Sequence, residues 1–139
     1  MKEKYKNKIE IHIGLESLFL PGMKRNLRKL KDKGIEYLIL GQHDVLDENG
    51  KRSYILSKPI DDQRVNQYVN LAIKGIKTGL FSYMAHPDVF ILPLEGLTES
   101  MKKDCVRLCK MAKKYNVPLE INLSGLAKNG ITKFPSLFL

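Results

Sequence analysis

The sequence predicts an α/β fold in which parallel strands alternate with helices, and three observations carry that prediction. Apolar segments at residues 8–16, 35–40, 81–85 and 117–122 have the length and pattern of strands. Between them, residues 23–33, 61–79 and 98–115 repeat apolar side chains at helical spacing. Glycine or proline punctuates the junctions, as at Pro21-Gly22, Gly34 and Gly79. A succession of this kind implies right-handed crossovers onto one parallel sheet. The 139 residues make one domain, 1–139, with no internal repeat or linker to divide it.

Residues 1–8 read as the end of a lysine-rich helix. In residues 8–16, Ile9, Ile11, Ile13 and Leu15 alternate with Glu10, His12, Gly14 and Glu16, a period of two that gives a strand one apolar face. His12 falls mid-strand and reads as a packed, hydrogen-bonded residue, not a ligand. After Pro21-Gly22, Met23, Leu27 and Leu30 recur at helical spacing, and Gly34 stands where a left-handed residue closes a helix. Residues 35–40 are almost continuously apolar, as in a strand buried on both faces. Residues 45–59 are the least regular, with Asp47-Glu48-Asn49-Gly50 as a turn. Asp61 or Asp62 opens the next helix, whose apolar face is Val65, Tyr68, Val69, Ala72, Ile73 and Ile76. Residues 81–85 form a short strand running into His86-Pro87-Asp88. Thr98 caps a helix to about residue 115, with Met101, Cys105, Leu108, Cys109 and Ala112 facing inward. The two cysteines read as core side chains, because free cysteine is usually buried. Residues 117–122 are the last strand, and from Leu123 the chain is loop-like, with a turn at Asn129-Gly130.

Composition narrows the function classes. Hydrophobic residues make up 43% and charged residues 28%, which is globular and not disordered. No apolar run reaches the roughly 18–20 residues of a membrane span. The N-terminus lacks the apolar stretch of a secretory signal, and two cysteines cannot make a disulfide scaffold, so a cytoplasmic setting is expected. The net charge of +9 is split: +6 in residues 1–34, −2 in 35–96 and +5 in 97–139. The lysines lie on the polar sides of helices, which fits a solvated face better than a nucleic-acid stripe.

The chemistry-bearing residues gather at one kind of place. Glu16, His43, His86 and Glu120/Asn122 each stand at or just beyond the C-terminal end of a predicted strand. In parallel α/β folds that edge is where sites form. Carboxylate with imidazole suits Zn²⁺, Mn²⁺ or Fe²⁺. Each residue alone also has a bland reading, as a surface carboxylate, a loop cap or a structural histidine. Their equivalent positions in successive units favour a metal site at Glu16, His43 and His86.

At these residues the chain resembles a known family. Ile13-Gly14-Leu15-Glu16 with Leu20-Pro21-Gly22, then Leu40-Gly41-Gln42-His43, then Gly79-Leu80-Phe81 with Ala85-His86-Pro87-Asp88, then Leu119-Glu120-Ile121-Asn122 with Ser124-Gly125-Leu126, is similar to the polymerase and histidinol phosphatase (PHP) superfamily. Together with Phe134-Pro135-Ser136, the spacing looks most like the histidinol-phosphatase branch. The resemblance implies a distorted seven-stranded (β/α) barrel with up to three divalent metals, and hydrolysis of L-histidinol phosphate to histidinol and phosphate in histidine biosynthesis. By position, Glu16 matches the bridging carboxylate, and His43 and His86 match the histidines that complete one metal site. Asn122 and Ser124 fall in the motif flanking the substrate pocket.

The chain also departs from that pattern. It has no His-x-His and no late Asp-x-His, and with three histidines it holds ligands for about one metal. A barrel of this type takes about 250 residues. The chain therefore reads as a partial barrel, an internal segment or shortened relative with weak or no phosphatase activity by itself. Two other readings stand beside it: another phosphoesterase of the superfamily, of protein-tyrosine-phosphatase or nuclease type, and a non-catalytic domain binding metal or a partner. Sheet edges left open by an incomplete barrel invite self-association. Arg64, Lys128 and Lys133 are candidates to grip a substrate phosphate by charge alone.

Overall fold

A computed structural model describes residues 2–57 and 59–122. The expected parallel sheet is present in short form. Strands β1 (Gly14–Ser17), β2 (Tyr37–Leu40) and β5 (Phe81–Met84) lie in the order β1-β2-β5, all parallel. The register sets Glu16 opposite Ile39 and Leu40 opposite Met84, with a bulge between Leu38 and Ile39. A single parallel bridge from Met84 to Leu119 adds a fourth position beside β5. No closed barrel is formed among the described residues.

The helices follow their apolar stripes. Helix α2 (Lys24–Asp32) buries Leu27 and ends at Lys33, after which Gly34 takes φ +89°. Helix α3 (Asp62–Ile76) is capped by Asp61, whose carboxylate accepts the Arg64 N–H, and all six predicted stripe residues are buried. Helix α4 (Glu99–Lys114) is capped by the Thr98 hydroxyl, which accepts the Met101 N–H. Thr98 also donates to Asp62, which ties the two helix starts together. Helix α3 packs along α4 and reaches β2, so Leu38, Leu40, Phe81 and Met84 share one core with Val65, Tyr68, Val69 and Leu108. Burying each such large side chain stabilises the fold by about 1.5–3 kcal/mol. Cys105 is buried and Cys109 half-buried, and burial pushes the Cys105 thiol up to about 12 and raises that of Cys109, so both stay neutral core groups.

Four expectations are corrected. Only Gly14–Ser17 of the long first strand is a strand, because β2 begins at Tyr37 and the α2-to-Gly34 turn leaves residues 9–12 without a partner ladder. His12 is consequently exposed, bonded to Glu36 (2.6 Å) and Glu10 (3.2 Å), and not packed in an interior. The irregular stretch 45–59 contains an antiparallel hairpin, β3 (Asp44–Leu46) with β4 (Arg52–Tyr54), around the turn predicted at Asp47–Gly50. The last strand shrinks to the one bridge at Leu119, since β5 ends at Met84 and Pro118 has no N–H to donate. Two short elements complete the described residues, α1 (Lys2–Tyr5) and a 3₁₀ turn at Val89–Ile91. Among the described residues, no helix is long and apolar enough to cross a membrane.

Two consequences are measurable. Gly75 lies inside α3, where an added Cβ would meet Phe19 Cβ at 3.0 Å and both Leu40 methyls at 3.1 Å. Alanine gains about 1 kcal/mol in helix propensity but overpacking costs about 1–3 kcal/mol, so Gly75→Ala is expected to lower stability by up to about 2 kcal/mol in urea unfolding. A more stable variant would contradict this. The second concerns Glu36, which Lys2 and then His12 hold down to about 2 by hydrogen bonding. A carboxylate with a depressed pKa stabilises the fold above its ordinary range and loses that contribution as pH falls through the folded value. The tether from α1 to the start of β2 is therefore expected to open between the ordinary carboxylate range and pH about 2. In NMR titration, Lys2→Ala should raise the Glu36 midpoint; an unmoved midpoint would remove the tether.

Candidate metal centre

Parallel pairing brings the C-terminal ends of β1, β2 and β5 to one edge, and the three predicted ligands meet there. Glu16 is the third residue of β1, His43 follows β2, and His86 follows β5. Their ligand atoms all lie within 4.8 Å of one another. Glu16 Oε1 stands 3.3 Å from His43 Nε2 and 3.4 Å from His86 Nε2, and the two imidazole rings are 4.7 Å apart.

Each ligand is held by its own local structure. Behind His43, the wholly buried Gln42 accepts the Phe19 N–H (3.1 Å) and donates to the Asp44 carbonyl (2.8 Å). The His43 carbonyl accepts the Ile55 N–H at 2.7 Å, and buried Asp44 pairs with Arg52, so the hairpin anchors the loop. Glu16 passes over Gly41, where an added Cβ would lie 2.2 Å from its Oε1. His86 turns out of β5 with φ +31°, and its N–H donates to Glu120 at 2.8 Å.

The three donors are of a kind that could hold a divalent ion. A tetrahedral ion with bonds of about 2.0–2.1 Å separates its ligands by about 3.3–3.4 Å, which are the separations from Glu16 to the two histidines. An imidazole whose Nε2 is free for a metal carries its proton on Nδ1. The Nδ1 atoms of His43 and His86 are buried with no hydrogen-bond partner among the described residues. Metal-ligating histidines usually give that second N–H to an outer-shell acceptor, and among the described residues none supplies one here. The cluster is open to water, with the Glu16 side chain 46% and the His43 side chain 37% exposed.

The other predicted residues fall differently. Asn122 is half-buried and its amide donates to Glu120 (3.3 Å). Ser124, Lys128 and Lys133 lie outside the described residues. The Arg64 guanidinium donates to the Tyr54 and Ile55 carbonyls and to Ser53, which holds the hairpin down. Three contributors went unassigned in the sequence. Gly41 stood in view beside His43, but its role needs the position of Glu16. Tyr54 is carried by the hairpin to 6.1 Å from the His43 ring. Tyr83 shares a row of the sheet with Ile39 and Glu16, and partial burial, then Glu120, Tyr37 and Glu16, keeps its hydroxyl protonated above the usual range. Compared with known protein families and with curated proteins, the chain matches none.

Proposed function

We propose that the chain is a divalent-metal-binding phosphoesterase domain of the PHP type, its three-stranded sheet being a segment of the (β/α) barrel that the resemblance implies. The convergence of Glu16, His43 and His86 from three adjacent parallel strand ends carries this reading. Glu16 supplies negative charge between two neutral imidazoles, a set suited to Zn²⁺, Mn²⁺ or Fe²⁺. A bound ion would provide hydroxide near neutral pH and withdraw charge from phosphoryl oxygens. Three protein ligands leave positions open for water and a phosphate ester. The Tyr54 ring stands 6.1 Å from that of His43, and the Tyr83 hydroxyl stays protonated in the same sheet row as Glu16. Solvent access to Glu16 and His43 admits the water that hydrolysis consumes.

The histidinol-phosphatase branch is the favoured substrate class. The test is hydrolysis of histidinol phosphate, a phosphotyrosine peptide and single-stranded DNA by the Mn²⁺- or Zn²⁺-loaded chain. Release of phosphate from histidinol phosphate above the other two supports the reading, even at low turnover. Preference for either other substrate moves the chain to another branch. Bound metal with no turnover on any of the three favours a non-catalytic metal-binding domain.

A further inference from the structure

We propose that Glu120 is the positioning residue of the cluster: its carboxylate sets the backbone of His86 and so aims that imidazole at Glu16. The consequence for metal binding rests on the metal-site reading; the contact itself does not.

His86 has φ +31°, a conformation that residues other than glycine seldom adopt. It precedes Pro87, whose ring pushes the preceding residue toward extended backbone. Local sequence therefore works against this corner, and tertiary contacts must hold it. The Glu120 Oε2 accepts the His86 N–H at 2.8 Å from 34 residues away. On the other side of the corner, Val89 N–H donates to the His86 carbonyl (3.1 Å) and the buried Tyr68 hydroxyl donates to the Pro87 carbonyl (3.1 Å).

Glu120 is itself placed by the sheet. Its N–H donates to the Met84 carbonyl, and Met84 N–H donates to the Pro118 carbonyl, both at 2.9 Å. That rung sits two residues before His86, so the carboxylate arrives at the amide it must meet. Asn122 donates to the same Oε2. A carboxylate acceptor makes a charge-assisted bond, stronger than a neutral one. Glu120 is not among the converging ligand atoms, so it acts through His86.

The test makes two measurements on the full chain: exchange of the His86 amide by NMR, and Co²⁺ affinity from its visible absorption. Glu120→Ala removes the acceptor, while Glu120→Gln keeps a carbonyl oxygen at the same reach. In Glu120→Ala, His86 exchange should accelerate and Co²⁺ affinity fall by about 10–100-fold, the usual effect of losing an outer-shell partner. Amides of Leu38 and Val69 should be unchanged, and Glu120→Gln should restore both readouts. If Glu120→Ala does not fold, Glu120→Asp, one methylene too short, takes its place with the same expectations. Wild-type exchange and affinity in Glu120→Ala would overturn the proposal, as would a loss spread through core amides that Glu120→Gln does not restore. If the wild-type chain takes up no Co²⁺, the metal reading fails and His86 exchange alone decides: faster in Glu120→Ala and restored in Glu120→Gln supports the proposal, unchanged overturns it.

Discussion

Glu16→Gln is expected to strip the chain of its divalent ion. Glu16 Oε1 meets both histidines, at 3.3 and 3.4 Å. The substitution keeps the shape of the side chain and removes its charge, leaving an ion to be held by two neutral rings. Losing an outer-shell partner typically costs 10–100-fold in affinity, so losing the one anionic ligand among the described residues should cost more than about 100-fold. The fold should survive, because the Glu16 side chain is 46% exposed and contributes nothing to the apolar core. Metal analysis after chelation and reloading, beside His43→Ala and His86→Ala, decides the matter. About one ion per chain in the wild type and none in the three variants is the expected result; equal loading throughout would dismiss the centre.

The second large effect needs no change to any ligand. Gly41→Ala is expected to dislodge the Glu16 carboxylate. The added Cβ would fall 2.2 Å from Oε1 and 2.7 Å from Cδ and Cγ, distances at which something must move. Gly41 does not have a positive φ, so alanine fits the backbone there without strain. The adjustment falls on the end of a flexible side chain. Stability should stay within about 1 kcal/mol of wild type, helped by the lower entropy of the unfolded alanine chain. Metal affinity should drop by at least about 10-fold, as when a ligand loses its orientation. A Glu16→Ala background binds no ion but removes the clash, so any stability cost of Gly41→Ala should vanish there. An effect of equal size in both backgrounds would mean Gly41 acts through something other than Glu16.

Much of this protein is legible in its sequence where the governing physics is local. The six-residue stripe of α3 is buried as its helical spacing requires. Asp61 and Thr98 cap helices because a short polar side chain can reach the free N–H groups of the next turn. Gly34 and Gly79 take positive φ where their helices stop. That Glu16, His43 and His86 would stand close together was also legible, because parallel strands put their C-terminal ends on one edge whatever the remaining details.

The misreadings share a cause. Alternation at Ile9, Ile11 and Ile13 describes a chain ready to pair, but pairing requires a neighbour, and β2 offers none before Tyr37. Ile9 and Ile13 are left 58% and 44% exposed. The hairpin of β3 and β4 was hidden because its three-residue strands are too short to show a period. Where Arg64, a candidate by charge alone, would sit was hidden too: the hairpin places the Tyr54 and Ile55 carbonyls against its guanidinium.

By itself, the sequence determined the α/β class, the helices and their buried faces, and the candidate ligands. Those follow from interactions between residues a few positions apart. Only the tertiary structure decided which strands pair, that Gly41 makes room for the Glu16 carboxylate, and that Glu120 reaches back across 34 residues to the His86 amide. Contacts of that kind depend on the separation of distant backbone segments, which no periodicity encodes and which the packing of the whole sheet and its helices sets.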